Sequence, residues 1–440
     1  MSRRPDPARQ AAFDVLKAVR VDGAYTNLVL PQVLAKHRLT GRDAAFATEL
    51  ASGTIRRQGT YDAVLAACSD RPVANIQAKA LDILRLGAHQ LLAMRVPTHA
   101  AIDTAVSMVR SEVGPGASGF ANAVLRKVAA KSLDEWVAEV APDDLAVAHS
   151  HPQWVVDELE RALGPAAGEL ADLLAADNVP PRVTLVARPG RSTRDELPGE
   201  PTPYSPFGVT LGSGDPGEVP AVAEGRAGVQ DEGSQLVALA AATAPVEGRD
   251  TVWLDLCAGP GGKAALLAAL AAERGARLIA NELHQHRAQL VRRALGPDPT
   301  ALVVRGDATR ASLADDSVDR VLLDAPCTGL GALRRRPEAR WRRSRADLRD
   351  LVELQRALLD EALRVLRPGG ALLYATCSPL LSETEGVVGR VLARPGTAIG
   401  NVLPLLPGVT DAEGPLPGSV QLWPHRHGTD AMFLALLRKD

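Results

Sequence analysis

The stretch Thr251–Lys263, TVWLDLCAGPGGK, decides the fold of the carboxyl-terminal half of the chain. An apolar run with β-branched residues ends at Asp255, a glycine-rich turn follows, and an Ala/Leu run begins at Ala264. This order predicts a strand, a tight turn and a helix. Glycines let the backbone approach a ligand, and the N–H groups of the first helical turn can hydrogen-bond it. The stretch predicts a nucleoside cofactor site, or else an ordinary turn whose glycines serve packing.

Two common nucleotide-binding patterns do not match this turn. Its glycine spacing is not G-x-G-x-x-G, which dinucleotide sites use. Lys263 is followed by Ala264, so the turn also lacks the hydroxyl that a phosphate loop offers to Mg²⁺. Neither a dinucleotide nor ATP is favoured as the cofactor.

Composition limits the other options. The chain has 440 residues, 46% of them hydrophobic, which is enough for two or three domains with ample cores. The formal net charge is −2, so any affinity for nucleic acid must come from a local basic patch. The four cysteines are too far apart for a clustered zinc motif and give no sign of a disulfide framework. We expect no metal site and a monomer.

The amino terminus, MSRRPDPARQAAF, lacks the apolar segment of a signal peptide. The Ala/Leu run from Ala264 to Ala272 is too short to span a bilayer. We therefore expect a soluble cytoplasmic protein that does not bind membranes.

The first part of the chain has helical periodicity. Apolar residues recur at helical spacing, as at Ala12, Val15, Leu16 and Val19, and predict an all-helical domain over residues 1–142. Several charged positions in it either face RNA or belong to ordinary solvated helix faces; these are Arg3, Arg4, Arg9, Lys17, Arg20, Arg56 and Arg57. Residues 143–228 predict a small α+β connector of two helices, a strand in PPRVTLVARPG, and then loops and hairpins.

Residues 229–440 alternate helix and strand patterns. Helices are predicted at Lys263–Arg274, His284–Leu295 and Leu348–Leu366, and strands at 276–282, 301–307, 318–326 and 370–378. This alternation is typical of a doubly wound, mostly parallel sheet.

Acidic residues end four of the predicted strands. Asp255, Glu282, Asp307 and Asp324 would therefore meet at the edge of the sheet where ligands bind in such folds. Glu282 is suited to accept hydrogen bonds from two ribose hydroxyls, and Asp307 could accept from an adenine amino group. Each acid alone is equally compatible with a helix cap or a surface charge.

Two cysteines follow neighbouring strands. Cys327 in DAPCTGLG and Cys377 in ATCSP lie just past the fourth and fifth strands of the domain, so two thiols would overlook one cleft. A thiol with a lowered pKa is a strong nucleophile that can add to an electron-poor double bond. A lone buried cysteine is usually an apolar core residue, which is how we interpret Cys68. Cys257 is interpreted as structural or as lining the cofactor pocket.

An arginine-rich stretch lies between these two cysteine motifs. ALRRRPEARWRRSR, residues 332–345, contains seven arginines and the single acid Glu338. Such a density of like charge indicates an anionic partner, and Trp341 offers a surface on which a base could stack. We predict RNA binding by Arg334, Arg335, Arg336 and Trp341; the alternative is a solvated face.

The motifs together resemble those of a known family. DLCAGPGGK, DAPCTGLGALRRRP and YATCSP, in this order, closely resemble the motifs of the S-adenosyl-L-methionine-dependent RNA cytosine-5 methyltransferases of the NOL1/NOP2/Sun family. The region from Ala8 to Lys127, with GAYTN and ILRLGAHQL, resembles the NusB-type RNA-binding helical domain. The resemblance implies an all-α NusB-like domain (1–142), a small α+β connector (143–228) and an α/β Rossmann-like methyltransferase domain (229–440).

The resemblance also implies roles for single residues. Cys377 would be the nucleophile that attacks carbon 6 of cytosine, Cys327 or a water that it positions would assist release, and Asp324 would contact the cytosine edge. The cofactor would be bound by Cys257, Ala258, Gly259, Pro260, Gly261, Gly262, Lys263, Glu282, Asp307 and Asp324.

Three positions depart from the family pattern. Ala258-Gly259 stands where two alanines are usual, and Ala264 replaces a common hydroxyl residue; both changes are small and should leave cofactor binding intact. The strand VTLVA lacks the usual Arg and Asn, which argues against RNA contacts by that strand.

The NusB-like region favours 16S ribosomal RNA as the substrate. The alternatives are a transfer RNA cytosine-5 methyltransferase and a noncatalytic RNA-binding assembly factor.

Overall fold

The computed structural model describes residues 6–439, so Arg3 and Arg4 lie outside the described residues. Within that range the chain forms two compact units. The first contains residues up to 160, residues 165–180 and the later segment 333–342, and the second contains residues 161–164, 181–332 and 343 onward. The three-domain division of the sequence stays a prediction.

The first unit is helical, as the periodicity predicts. Its helices are α1 (Pro7–Val21), α2 (Thr26–Lys36), α3 (Gly41–Arg56), α4 (Gln58–Cys68), α5 (Ala78–Leu92), α6 (Thr98–Glu112), α7 (Ser118–Val128), α8 (Leu133–Val140), α9 (Leu145–Ala148), α10 (Gln153–Leu163), α11 (Leu170–Ala176) and the short α16 (Ala339–Arg342).

Local chemistry explains how this unit begins and packs. The Asp6 side chain accepts from Arg9 N at 3.0 Å, which caps α1, and Pro7 occupies the first helical turn. Gly87 lets α5 approach α7 closely, because a Cβ at that position would lie 2.9 Å from the Leu125 side chain. Cys68 is buried in the core of this unit, as expected.

The charged helix positions have internal contacts. Arg9 donates to Gln90, Arg20 pairs with Asp82 at 2.8 Å, and Arg56 is buried. These contacts give the three arginines structural roles, and RNA contacts by any of them stay a prediction.

The second unit begins with a small antiparallel sheet. Its strands are β1 (Thr184–Ala187), β2 (Glu200–Pro201), β3 (Gly208–Thr210) and β4 (Ala227–Val229), in the order β2-β3-β1-β4, with α12 (Pro220–Ala223) beside them. Arg188 is buried and donates to the carbonyls of Gly225 and Ala294, which ties the small sheet to the larger one.

The rest of the second unit is a mixed sheet covered by helices. Its elements are α13 (Glu232–Thr243), β5 (Val252–Asp255), α14 (Gly262–Glu273), β6 (Arg277–Glu282), α15 (Gln285–Leu295), β7 (Ala301–Arg305), β8 (Val318–Asp324), α17 (Arg345–Val365), β9 (Leu366–Thr376), α18 (Glu385–Leu392), β10 (Thr397–Gly400), β11 (Val420–Gln421), α19 (Pro424–His427) and β12 (Phe433–Lys439).

Sheet order brings the predicted strand ends together. The order is β10-β12-β9-β8-β5-β6-β7, and β9, β8, β5, β6 and β7 are parallel to one another. The predicted doubly wound Rossmann-like sheet is confirmed over these five strands. The sequence analysis did not predict that β12 pairs antiparallel with both β9 and β10, which makes the sheet mixed. None of the helices described between residues 6 and 439 is long and apolar enough to cross a membrane.

Candidate active site

The glycine-rich turn after β5 owes its sequence to close contacts. A Cβ on Gly259 would lie 1.9 Å from Glu282 Oε2. Gly261 has φ 113°, and a Cβ there would lie 2.7 Å from the Ala294 Cβ and 3.0 Å from the Val291 Cα. Packing and the positive φ therefore demand glycine at 261, whereas a Cβ at 259 would require the Glu282 side chain to move.

Buried carboxylates gather beside this turn. Asp255, at the end of β5, is 1% exposed, and burial together with the Asp324 carboxylate raises its pKa to about 8 against the opposing effect of Lys263. Glu282, at the end of β6, is also buried and accepts from His284 N at 2.9 Å. Burial and these carboxylates raise the pKa of the Cys257 thiol well above its usual value, so Cys257 stays protonated at neutral pH.

A buried amide that sequence reasoning missed lies next to the turn. The side-chain oxygen and nitrogen of Gln230 are buried, and within the described part of the chain neither makes a hydrogen bond. Its amide group is 4.0 Å from where a Cβ on Gly262 would be, at the start of α14. A buried amide without partners is costly, which marks this position as one where a ligand could satisfy it. The only sequence signal was its place at the start of QDEGSQL, directly before a helix.

The other two strand-end acids differ in their surroundings. Asp307, after β7, is exposed and accepts from Thr309 N and Oγ1 at 2.9 and 2.8 Å. These hydrogen bonds lower the Asp307 pKa and make it the cap of a short 3₁₀ turn, one of the alternatives that the sequence left open. Asp324, at the end of β8, accepts from Lys263 Nζ at 2.9 Å.

The structure brings the two cysteines of the predicted cleft together. Because β8 and β9 are parallel and Asp324 is in register with Ala375, the residues that follow them lie side by side. The sulfur atoms of Cys327 and Cys377 are 3.4 Å apart and hydrogen-bonded. This hydrogen bond, burial and the nearby negative groups raise the Cys327 pKa well above its usual value. Cys327 is therefore protonated at neutral pH.

A second close approach holds the Cys327 loop against the Cys377 loop. Gly331 N donates to the Cys377 carbonyl at 2.9 Å, and Ala431 N donates to the Gly331 carbonyl at 2.8 Å. A Cβ on Gly331 would lie 2.2 Å from the Ala431 carbonyl oxygen, so the last glycine of DAPCTGLG is required by this contact.

Residues 333–342 of the arginine-rich stretch belong to the helical unit. Arg340 is fully buried and donates to the Ser150 carbonyl and Asn178 Oδ1, both at 2.9 Å, and burial lowers its pKa to about 10. Glu338 is buried and accepts from Thr26 N and Oγ1 at 3.2 and 2.7 Å. These contacts are internal packing, a role that the charge pattern did not predict.

The four predicted RNA-binding residues are not equivalent in the structure. Arg334 is buried, whereas Arg335 and Arg336 are partly exposed. The Arg336 guanidinium lies 5.2 Å from the Tyr25 ring centroid, and the Trp341 indole packs against Gly59. RNA binding by these side chains stays a prediction.

Comparison with known proteins identifies the family. The family model 16S rRNA methyltransferase RsmB/F matches residues 240–438, and the NusB family model matches residues 6–130. The ribosomal RNA small subunit methyltransferase B of Pseudomonas putida is 34% identical over 98% of this chain and 98% of its own. This chain belongs to the ribosomal RNA small subunit methyltransferase B family. It is an RNA methyltransferase of the S-adenosylmethionine-dependent class.

Two other proteins are similar to this chain over its full length. The candidate methyltransferase Rv1407 of Mycobacterium tuberculosis is 51% identical over 99% of this chain and 98% of its own. The crystal structure of PH0851 is similar over 100% of both chains, with a TM-score of 0.81 and 22% identity, a likeness that shows the fold alone. Among residues 6–439, no three His, Cys, Asp or Glu side chains are grouped so that they could hold a metal ion.

Proposed function

We propose that this methyltransferase B family member transfers a methyl group from S-adenosyl-L-methionine to carbon 5 of a cytosine in 16S ribosomal RNA, through a covalent bond to Cys377. The observation that carries the proposal is the hydrogen-bonded pair of sulfur atoms, 3.4 Å apart, at the ends of two parallel strands. Carbon 5 of cytosine is a poor nucleophile, and a thiolate that adds at carbon 6 overcomes this by splitting one difficult step into two easier ones.

The residues around the turn after β5 fit the cofactor. Backbone N–H groups in the turn from Cys257 to Lys263 and at the start of α14 can hydrogen-bond a ligand. The Gln230 side-chain amide provides a donor and an acceptor that have no partner among the described residues. The Glu282 carboxylate can accept from ribose hydroxyls, and Asp307 can accept from the adenine amino group. When bound, S-adenosylmethionine supplies the methyl group as an electrophile and a positive charge suited to these acids.

In the first half of the reaction, the Cys377 sulfur forms a bond to carbon 6, and the ring double bond supplies its electron pair to carbon 5 as an enamine. Asp324, held by Lys263 and among the groups whose charge acts on Cys327, would contact the cytosine edge and favour protonation at ring nitrogen 3. Carbon 5 would then form its bond to the methyl group as the bond between that group and the cofactor sulfur breaks, and S-adenosylhomocysteine would leave.

In the second half, carbon 5 loses its hydrogen as a proton, the bond between Cys377 and carbon 6 breaks, and ring nitrogen 3 gives up the proton that it gained, which restores the neutral aromatic ring. The Cys327 thiol keeps its proton, so it can donate a hydrogen bond to the Cys377 sulfur as that sulfur leaves as a thiolate. A water positioned beside Cys327 can accept the proton from carbon 5. The target base must be unstacked to reach both sulfurs.

The choice of 16S ribosomal RNA rests on the relatives, whose names specify the small ribosomal subunit. The test is methyl transfer from tritium-labelled cofactor to 16S ribosomal RNA, with transfer RNA as the competing substrate. Bisulfite sequencing of the product should show one protected cytosine. Transfer to transfer RNA alone would overturn the substrate, and label without a protected cytosine would overturn the position of methylation.

A further inference from the structure

A buried carboxylate that takes no part in this scheme links the two cysteine loops. Glu383 follows β9 and is fully buried. Its Oε1 accepts from Thr328 N at 2.8 Å and from Gln355 Nε2 at 2.9 Å. Its Oε2 accepts from the hydroxyls of Thr328 and Ser378 at 2.6 and 2.5 Å.

The partners of Glu383 come from both halves of the thiol pair. Thr328 directly follows Cys327, and Ser378 directly follows Cys377. The two hydroxyl oxygens are also 3.1 Å from each other, so one carboxylate closes a ring that contains both loops.

A helix holds this ring in place from behind. Gln355 of α17 donates both to Glu383 and to the Pro326 carbonyl, at 2.9 and 2.8 Å. The Tyr374 hydroxyl donates to the Glu383 carbonyl at 2.8 Å and fixes its backbone. An ionised carboxylate is expensive to bury unless its oxygens are satisfied, and here each oxygen accepts two hydrogen bonds. The arrangement is rigid as well as stable.

We propose that Glu383 is a positioning residue that fixes the Cys327 loop against the Cys377 loop and thereby sets the contact between the two sulfur atoms. This inference rests on the proposed function, because it assigns Glu383 a step in the covalent chemistry of Cys377. The alternative is that Glu383 is only a satisfied polar group that stabilises the core.

Charge supports the same role. The Glu383 carboxylate is among the groups that raise the Cys327 pKa, after the hydrogen bond to Cys377 and burial. The ionisable groups that act on Cys327 are Cys377, Glu383 and Asp324, and Lys263 is paired with Asp324. Removal of the negative charge at position 383 should therefore lower the Cys327 pKa.

Two variants separate the effect of the Glu383 hydrogen bonds on loop position from the effect of its negative charge. Glu383→Gln keeps the shape; its oxygen can still accept from Thr328 N and Gln355, and its amide can donate to the two hydroxyls. Glu383→Ala removes every one of these bonds. Glu385→Ala is the matched control, because Glu385 is exposed in the first turn of α18.

The first measurement follows the covalent adduct with 16S ribosomal RNA, trapped in the Cys327→Ala background. Loss of the Glu383 ring should displace the Cys377 loop, and a misplacement of about 1 Å costs on the order of 100-fold in rate. We expect the added Glu383→Ala change to slow adduct formation by roughly this factor, Glu383→Gln to rescue most of it, and Glu385→Ala to leave it unchanged. A folded Glu383→Ala protein that forms adduct at the undiminished rate would overturn the positioning role.

The second measurement needs no RNA. Iodoacetamide reacts with thiolates, so the pH profile of Cys327 alkylation, read by peptide mass spectrometry, reports its pKa. Glu383→Gln should shift this profile to lower pH relative to wild type and Glu385→Ala. An unshifted profile for Glu383→Gln would overturn the contribution of the Glu383 charge. An unshifted profile for folded Glu383→Ala, in which the contact between the two sulfur atoms should also be lost, would overturn the positioning role, because that contact is the largest of the effects that raise the Cys327 pKa. Absence of any adduct from Cys327→Ala itself would contradict the proposed covalent function, and the alkylation profile of Glu383→Ala then decides the role of Glu383 independently.

Discussion

At the scale of single residues, the two sulfur atoms of the candidate active site are in contact with each other. The hydrogen bond to Cys377, burial and negative neighbours raise the Cys327 pKa, so Cys327 is protonated at neutral pH and is a poor nucleophile. This direction agrees with the proposal that Cys377 attacks carbon 6 and that Cys327 assists release.

The roles of the cysteines can be separated by trapping the intermediate. Cys377→Ala should neither methylate RNA nor form an adduct, because no bond to carbon 6 can form. Cys327→Ala should add and methylate but accumulate a protein–RNA adduct that survives denaturing electrophoresis and is absent from the double variant. The reverse pattern would exchange the two roles, and continued methylation by both single variants would contradict the covalent mechanism.

Asp255 should make stability depend on pH. Its carboxyl ionises near pH 4 in an unfolded chain, whereas its pKa in the folded protein is about 8. Its contribution to the free energy of unfolding is therefore complete below about pH 4 and is lost as pH rises through about 8. In Asp255→Asn the fall in melting temperature between about pH 5 and pH 9 should be smaller than in wild type, measured without cofactor.

Asp307→Asn is the control for this pH experiment. Asp307 is exposed and its pKa is lowered by hydrogen bonds from Thr309, so its contribution is present at high pH and is lost only as pH falls through the lowered pKa. This variant should leave the alkaline part of the profile unchanged. If the melting temperatures of Asp255→Asn and wild type fall equally between about pH 5 and pH 9, Asp255 is already ionised in the folded protein near neutral pH.

At the scale of secondary-structure elements, the parallel strands carry the cofactor prediction. The Glu282 carboxylate at the end of β6 should bind the ribose hydroxyls, so Glu282→Ala should weaken cofactor binding by about 1.5–3 kcal/mol. Ligand-dependent increases in melting temperature measure this, since binding to the folded state stabilises it by mass action. Glu282→Gln keeps the contact surface against Gly259 and should lose less; undiminished affinity in Glu282→Ala would remove Glu282 from the site.

Elements that follow regular patterns were predictable from sequence, and irregular ones were not. The strands that end at Asp255, Glu282 and Asp324 have apolar runs, which predict buried parallel strands. Because the carboxyl ends of parallel strands meet at one edge of a sheet, the sequence also predicted that these three acids share that edge. The antiparallel strand β12 has a similar apolar run, and its partner is set by long-range packing. Glu383 lies in the polar stretch SETEG, where no periodicity distinguishes a buried carboxylate from an exposed one.

At the scale of the whole molecule, residues 333–342 lie between β8 and β9 in the sequence but pack as part of the helical unit. Sequence alone could not predict this, because a run of arginines normally indicates solvent or an anionic ligand. The buried Arg340 instead finds its partners in the Ser150 carbonyl and the Asn178 side chain. The same short stretch thus contains arginines that are buried and others, Arg335 and Arg336, that are partly exposed.

This difference in burial predicts that substitutions within residues 333–342 affect different properties, protein stability at Arg340 and RNA binding at Arg335 and Arg336. Arg340→Ala leaves two acceptors without their donor, which costs roughly 1–3 kcal/mol for each buried group, and should lower the melting temperature of the protein. Alanine at both Arg335 and Arg336 should lower the melting temperature less than Arg340→Ala does, because both side chains are partly exposed. It should instead weaken RNA binding and reduce the slope of log affinity against log salt by roughly 0.7–0.9 for each phosphate that the protein no longer neutralises.

The exposed Arg349 on α17 provides the charge-matched control for the two single variants, since Arg335→Ala, Arg336→Ala and Arg349→Ala each remove one positive charge and Arg349 lies outside the segment 333–342. A general loss of positive charge would affect all three single variants alike, whereas a local RNA contact affects only Arg335→Ala and Arg336→Ala. If the salt slope of the double variant equals that of wild type, Arg335 and Arg336 do not touch phosphate. RNA affinity must then come from other basic side chains, because the net charge of the chain is −2 and supplies no general attraction.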